Sequence, residues 1–398
     1  MPDGWAWCRL PEITEYIFAG GDKPSVFSKE KTDECFIPIY SNGIENDGLY
    51  GFTDKATAKE TSLTISARGT IGFTCIRTTA FVPIIRLITI TPNNDFINIH
   101  YLKAVFDSLF SFSEGSSIPQ LTVPTIKQFL IPLPPFNEQK NIYSSIIKIE
   151  TIIQTLEQNK NDLQISIKQT KSKILDLAIH GKLVPQDPND EPAEELLKRI
   201  ATSDNRPYKK FDDEEPFEIP NSWTWCRLKE ICELKGGKRI PAGLSATKEK
   251  TNHIYIRVTD MQNNSISDAD LVYITNDIFE KIQRYTINKD DLYLTIAGTI
   301  GRVGEVPEKF DGMNLTENAL KLTNISICKT YLMQILNTKY VQDYFESTYH
   351  QVAMPKLSLI NASKTIIPIP PFTEQQRIVS KIEELFEKLD IISKELTE

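Results

Sequence analysis

Histidine is scarce. The four present, His100, His180, His253 and His350, follow no regular ligand spacing, and no HExxH occurs. A zincin-type catalytic metal site is therefore not expected. Six cysteines, Cys8, Cys35, Cys75, Cys226, Cys232 and Cys328, are scattered with no CxxC. That pattern suits reduced core residues rather than a disulfide framework or a cysteine-rich zinc site. No apolar run reaches the roughly 18 residues that a membrane helix needs. The start, MPDGWAWCRL, lacks a basic region followed by an apolar stretch and does not read as a secretory signal. A cytoplasmic protein with no membrane partner is expected.

Catalytic motifs are equally thin. GxSxG and GxGxxG are absent. GGKRIPAG at 236–243 contains glycine and lysine, but not in the GxxxxGK[ST] order of a phosphate loop. PLPPF and PIPPF resemble the Asn/Asp-Pro-Pro-aromatic loop of amino-methyltransferases. Yet Leu133-Pro134 and Ile369-Pro370 stand where that loop needs its polar residue. No nuclease-like set of carboxylates and lysine stands out. These gaps point to a binding protein that is not itself an enzyme.

The 398 residues are 40% hydrophobic and 25% charged, which is ordinary globular composition and enough chain for two or three domains. The net charge of -8 is unevenly spread. Residues 187–218 hold eleven acids and five bases, so that segment carries -6 and the remainder about -2. Basic surfaces can therefore exist elsewhere.

An internal duplication dominates the sequence. GWAWCRL at 4–10 recurs as SWTWCRL at 222–228. GTIG at 69–72 recurs at 298–301, and PLPPFNEQ at 132–139 as PIPPFTEQ at 368–375. The offset grows from 218 through 229 to 236, so the second copy carries insertions. It is already 236 where Pro119 pairs with Pro355 and Leu121 with Leu357. The period is far beyond the roughly 20–50 residues of solenoid repeats. Each copy is a domain followed by a helix: a body over 1–136, a helix over 137–180, a central linker region over 181–218, a body over 219–372 and a helix over 373–398.

The bodies read as α+β. Residues 73–90 and 291–306 carry β-branched residues broken by Gly and Pro. Residues 274–285 and 329–347 have helical periodicity, and 98–111 matches the latter in the first copy. Trp5 and Trp7, and Trp223 and Trp225, share a face of an opening strand in each copy. They are read as core anchors, with a base-stacking platform as the alternative. The GTIG turns are read as structural, since Gly allows positive φ.

After each PPF the apolar residues step by 4 and 3. They are Ile142, Ile146, Ile149, Ile153 and Leu156 in the first copy, then Leu163, Ile167, Ile174 and Leu177. The second copy has Ile378, Ile382, Leu385, Leu389, Ile392 and Leu396. A 3.5-residue period predicts coiled-coil helices starting after Pro134-Pro135 and Pro370-Pro371. Thr373 with Gln376 fits a capping box, and Asn137 a cap. The first helix should end near Gly181. Two antiparallel helices forming one spacer, with a pseudo-twofold relation of the bodies, are expected; helices packed separately on their own domains are the alternative.

The stretch from Lys235 to Arg257 holds Lys235, Lys238, Arg239, Lys248, Lys250 and Arg257 against one acid, Glu249. Such residues can neutralise phosphates, and Arg can read guanine edges. A solvated, salt-bridged face is the competing reading. In the first body, Lys23, Lys29 and Lys31 occupy the corresponding early loop. Asn42 offers a hydrogen-bonding side chain, and Arg68 and Arg302 flank the GTIG turns.

Taken together, PDGWAWCRL and PNSWTWCRL, the GTIG pair, PLPPFNEQ and PIPPFTEQQRIVSKIEELF, and the central AIHGKLVPQDPNDEPAEELLKRI resemble the specificity subunit of type I restriction-modification systems. The likeness covers the frame of nearly the whole chain. It implies two target recognition domains, each reading half of a split site in double-stranded DNA. It implies an antiparallel helical spacer on which two modification subunits dock and methylate adenine with S-adenosylmethionine. Motor-nuclease subunits would bring ATP and Mg. This chain would bind none of these cofactors itself. The family's second helix often continues into a further tail; here no second AIHGKLVP-like segment follows, so helix pairing is expected to end near Leu396. A scaffold that never touches DNA and a self-contained DNA enzyme are the alternatives. The first predicts no salt-sensitive DNA binding, and the second predicts turnover by the chain alone.

Overall fold

Each copy opens with a short strand that pairs back onto the strand leading into its helix. The computed structural model describes residues 2–111, 121–349 and 356–396. Pro119, His350 and Pro355 lie outside the described residues. The chain divides into two units, Met1–Gln158 and Asn159–Glu398.

In unit 1, β1 (Ala6–Arg9) is followed by β2 (Thr14–Ala19), β3 (Ile37–Tyr40), β4 (Leu49–Thr53), β5 (Ser62–Ile65), β6 (Thr74–Arg77), β7 (Val82–Pro83) and β8 (Ile88–Pro92). Helices α1 (Ile99–Ser111) and α2 (Val123–Lys127), strand β9 (Leu130–Leu133) and helix α3 (Phe136–Ile179) complete it, α3 running on into unit 2. An antiparallel sheet in the order β2-β8-β5-β6 packs against α1. Leu63, Ile65, Ile88 and Ile90 meet Leu102 and Phe106 in its core. Each such side chain contributes about 1.5–3 kcal/mol by leaving water. The buried hydroxyls of Ser62 and Thr91 share a hydrogen bond of 2.9 Å, while that of Thr89 has no partner among the described residues. A second sheet, β4-β3-β7, pairs β3 with β7 in parallel.

Unit 2 repeats this plan. Helix α4 (Ala193–Ser203) precedes β10 (Thr224–Arg227), β11 (Glu233–Gly236), β12 (His253–Ile256), β13 (Met261–Gln262), β14 (Ser265–Ile266) and β15 (Tyr273–Ile274). Then come α5 (Asn276–Ile282), β16 (Thr286–Ile287), β17 (Leu292–Thr295), β18 (Val303–Glu305), β19 (Met313–Leu315) and β20 (Ala319–Thr323). Helices α6 (Lys329–Leu336), α7 (Lys339–Tyr349) and α8 (Leu359–Ser363), strand β21 (Ile366–Ile369) and helix α9 (Phe372–Glu395) follow. The antiparallel order β11-β20-β17-β18 mirrors that of unit 1, and the sheet β15-β12-β19-β16 again contains one parallel pair, β12 with β19. The stretch 329–347 is two helices, broken at Asn337 and Thr338.

The opening strands fix the helix starts. Trp7 pairs with Pro132 across β1 and β9, and Trp225 with Pro368 across β10 and β21. The Gln139 side chain donates to the Pro134 carbonyl and accepts from the Asn98 backbone; Gln375 donates to the Pro370 carbonyl and accepts from the Cys328 backbone. Tyr101 and Tyr331 donate to the carbonyls of Pro132 and Pro368. Trp5 donates its indole N–H to Glu138, and Trp223 to Glu374, both at 3.0 Å. The PPF-x-EQ signature is thus a buried fastening between strand and helix. The capping roles expected of Thr373 with Gln376 and of Asn137 are not formed. The helices begin one residue earlier, at Phe136 and Phe372, and Thr373 donates instead to Asp190.

Three further expectations change. The core-anchor reading holds for Trp225, which is 2% exposed, but not for Trp7, at 57%. The central linker region over 181–218 contains a packed helix. Helix α4 buries Ala193, Leu196, Leu197 and Ile200 in the core of unit 2, because its apolar face repeats with helical period. Finally, the α3 seam is only partly covered. Within unit 2, α9 runs antiparallel to the end of α3: Lys171 pairs with Asp390, while Ala178 and Ile179 share a core with Ile378 and Ile382. Leu385 and Leu389 flank that core, but Ile392 is exposed. Ile142 and Ile146 are half-buried in unit 1, whereas Ile149, Ile153 and Leu156 are exposed. Helix α3 has 44 residues and α9 has 24.

All six cysteines are free, four of them buried. Burial pushes the Cys226 thiol well up and Cys232 to about 12, so neither suits nucleophilic work. Among the described residues no helix is long and apolar enough to cross a membrane.

Candidate nucleic-acid interface

In unit 2 the basic stretch begins at the end of β11. Gly237 lies against the backbone of Leu315 and Thr316, where an added Cβ would stand 2.1 Å from the Thr316 carbonyl oxygen. That close approach lets the next two residues project from the sheet edge. Lys238 accepts from the Tyr255 hydroxyl through its carbonyl, and its ammonium lies 5.6 Å from the Tyr285 ring centre. Arg239 donates to Glu317 at 2.6 Å. Burial pushes the Glu317 carboxyl up, but the Arg239 hydrogen bond and other hydrogen bonds outweigh it and hold the group below its usual range.

A second cluster surrounds Asp270. Lys248 and Arg257 both donate to it, and Arg257 also bonds Asp260 at 2.8 Å. Lys248 is the main cause of the lowered Asp270 pKa, with Arg257 adding to it. Lys235 pairs with Glu233 at 2.5 Å. So of the six cations, Lys235, Arg239, Lys248 and Arg257 are engaged by acids, mostly brought from other parts of the unit. Lys238 and Lys250 have no carboxylate partner among the described residues. The run is partly a salt-bridged face, because the fold supplies the acids that the local sequence lacks.

Arg302 does not stand free beside its turn. Its guanidinium donates to the Met261 carbonyl at 3.0 Å. There it lines a polar hollow of about 250 Å³ with Gln262, Asn263, Asn264 and Asn337. These amides were not singled out by sequence reasoning; the adjacent Asn263-Asn264, both at positive φ in a hairpin turn, were the available signal. The GTIG turns are structural: Gly72 packs against Phe110 and Gly301 against Gln342, both at φ +89°.

In unit 1, Lys23 lies over the Phe27 ring at 4.2 Å, and Lys29 and Lys31 are exposed. Lys23 is one residue from Asp22 and Pro24, which line a hollow of about 600 Å³ with Gly20, Gly21 and Lys55. Arg68 is exposed at the turn entrance. Asn42 is a framework residue: its amide donates to the Ile85 carbonyl at 2.6 Å and accepts from the Ala67 backbone at 2.7 Å. One donor and one acceptor of its side chain are thus engaged in holding the backbone. Sequence reasoning also passed over Arg77, which is buried, stacks on Tyr40 and bonds Thr64.

The chain matches the family model of the type I restriction modification DNA specificity domain twice, over residues 2–164 and 220–398. It is 27% identical to the type I restriction enzyme EcoAI specificity subunit of Escherichia coli, over 97% of this chain and 78% of that one. With the Escherichia coli EcoEI specificity subunit it shares 25%, over 100% and 80%. Among solved structures, the HsdS subunit of Thermoanaerobacter tengcongensis aligns with TM-score 0.59 at 14% identity, covering 99% of this chain and 92% of that one. A chain from a study of complex assembly in the type I R-M system aligns with TM-score 0.64 at 15% identity, over 100% and 93%. These two likenesses are of fold. Because the family model covers both copies and most of the sequence, the chain belongs to the family of type I restriction-modification specificity subunits.

Proposed function

We propose that the chain is the sequence-specific DNA-recognition subunit of a type I restriction-modification complex, with each unit reading one half of a bipartite site. One observation carries this reading. The same architecture, down to its strand order and its Trp–Glu fastening, is built twice, with both copies inside the family match. Duplicated readers suit a site in two halves.

In unit 2, Lys238 and Lys250 would meet phosphates, while Lys235, Arg239, Lys248 and Arg257 would exchange carboxylates for DNA. Arg239 can present a bidentate fork to guanine, and Glu317 beside it can accept from cytosine. In unit 1, Lys23, Lys29, Lys31 and Arg68 are the corresponding candidates. Helices α3 and α9 would act as spacer and as seats for two modification subunits, where S-adenosylmethionine would be bound. ATP and Mg would belong to motor-nuclease subunits.

The test is methylome sequencing of cells carrying this chain and its modification subunit, with and without residues 1–136. A split methylated motif that loses one half on deletion is expected. An intact complex that leaves no split motif would overturn the reading. It would favour a pure scaffold, a role to which the exposed Ile149, Ile153 and Leu156 also lend themselves.

A further inference from the structure

The duplication allows each surface of unit 1 to be compared with its counterpart in unit 2, and one pair differs sharply. In unit 1 an apolar groove of about 360 Å³ is lined by Trp5, Trp7, Tyr101, Leu130, Pro132 and Ile146, among others. The corresponding positions in unit 2 are Trp223, Trp225, Tyr331, Ile366, Pro368 and Ile382. There the groove is filled. Trp223, Trp225 and Ile382 are buried, whereas Trp5 and Ile146 are half-buried and Trp7 is exposed.

Ile382 is covered by the end of α3, whereas the cover over Trp225 is a segment between the repeats. Phe217 meets Trp225 edge-on with ring centres 4.8 Å apart, stacks on His180 at 4.1 Å, and touches Tyr340. Phe211 lies 6.4 Å from Trp225. Asp213, in the same segment, pairs with Arg227. The occupant is therefore an acidic stretch between two aromatic anchors, FDDEEPF at 211–217.

Unit 1 keeps the receiving side chains of two of these contacts, those made to Trp225 and Arg227. Arg9 stands where Arg227 stands. Its backbone N–H donates to Glu12, while its guanidinium donates to the Gln128 carbonyl and has no carboxylate partner among the described residues. Trp7 stands where Trp225 stands and has no aromatic cover among the described residues. An exposed Trp beside an unmatched guanidinium is complementary in charge and shape to what fills unit 2.

We propose that the unit 1 groove is a docking site for an acidic–aromatic segment of a partner polypeptide, bound as residues 211–217 are bound in unit 2. The phenyl group covers Trp7, and a carboxylate pairs with Arg9. In unit 2 the segment is tethered, which keeps that groove closed to competitors. This docking is independent of DNA recognition, since it is read without DNA.

The test uses the full chain and a fluorescent peptide with the sequence of residues 211–220, followed by anisotropy. Saturable binding is expected. It should weaken by at least about tenfold in Trp7→Ala, as for an aromatic anchor. It should also weaken in Arg9→Glu and return there when the peptide carries Lys in place of both Asp residues. Both changed positions are exposed, so unchanged thermal unfolding should accompany the loss. Absence of saturable binding would overturn the proposal, as would binding indifferent to both variants. A dimer of the chain that Trp7→Ala abolishes, with no peptide bound, would likewise overturn it and assign the groove to a second copy.

Discussion

Trp223 and Glu374 lie 151 residues apart and meet through one indole N–H···O bond of 3.0 Å in a buried setting. Gln186 donates to the other carboxylate oxygen at 2.6 Å. Glu374→Ala would strand the indole N–H and should cost about 1–3 kcal/mol. Glu374→Gln retains an acceptor for Trp223 and should cost less than Ala. Unfolding monitored by tryptophan fluorescence would check the order; equal losses in the two variants would show that the hydrogen bond is not what holds the strand to the helix.

The same corner gives a pH signature of two opposite signs. Burial, the largest influence, raises the Glu374 pKa above the usual carboxylate range despite the Trp223 and Gln186 bonds. The folded state then holds that proton more tightly, so stability rises as pH falls through the window between the raised folded pKa and the ordinary unfolded one. Asp190 is the reverse. Its hydrogen bond from Arg377 is the largest cause of a lowered pKa, so its contribution is full above the ordinary Asp pKa and is lost as pH falls through the folded value. Stability measured from neutral to acid pH should therefore rise and then fall. Glu374→Gln should remove the rise, and Asp190→Asn should weaken the fall. A rise that persists in Glu374→Gln would assign it to another group.

Both pairs also show what the sequence could and could not disclose. Two copies, an α+β body and a helix starting after PPF were legible, because a repeated motif and a hydrophobic period are local signals. The roles of Glu138, Gln139, Glu374 and Gln375 were not. A glutamate in a first turn reads as a dipole partner until its distant tryptophan is seen. Residues 181–218 looked like linker because charge dominates their composition, while the apolar face of α4 is a minority of its residues. The basic stretch looked freer than it is, since Glu317 and Asp270 come from beyond its own run. Nor could identical motifs reveal that Trp7 is exposed and Trp225 covered, because the cover comes from a segment outside the repeat.

The division of that basic stretch into paired and unpaired cations predicts unequal effects on DNA binding. Lys238→Ala with Lys250→Ala removes two charges that break no carboxylate pair. If both meet phosphates, binding by the assembled complex should weaken on all sequences, and the salt slope should drop by about 2. Arg239→Ala should instead relax discrimination at one base pair, at a cost of about 1–3 kcal/mol. Binding titrations on matched and mismatched duplexes at several salt concentrations would separate these. An unchanged slope in the double variant would move the phosphate contacts elsewhere.

The last prediction concerns the two halves of the hydrophobic seam, which look alike in sequence and differ in structure. Ile382 is fully buried between α9 and the end of α3, so Ile382→Ala should destabilise the chain by about 2–5 kcal/mol. Leu156 is 61% exposed and Ile149 57%. Ile149→Glu with Leu156→Glu should leave stability nearly unchanged, since no core contact is lost. A stripe of exposed isoleucine and leucine at heptad spacing is nonetheless the surface a partner helix requires. The double Glu variant should therefore fail to co-purify with the modification subunit while folding normally. If the complex forms undiminished, the modification subunit rests on another surface, and the exposed half of the seam has a different role.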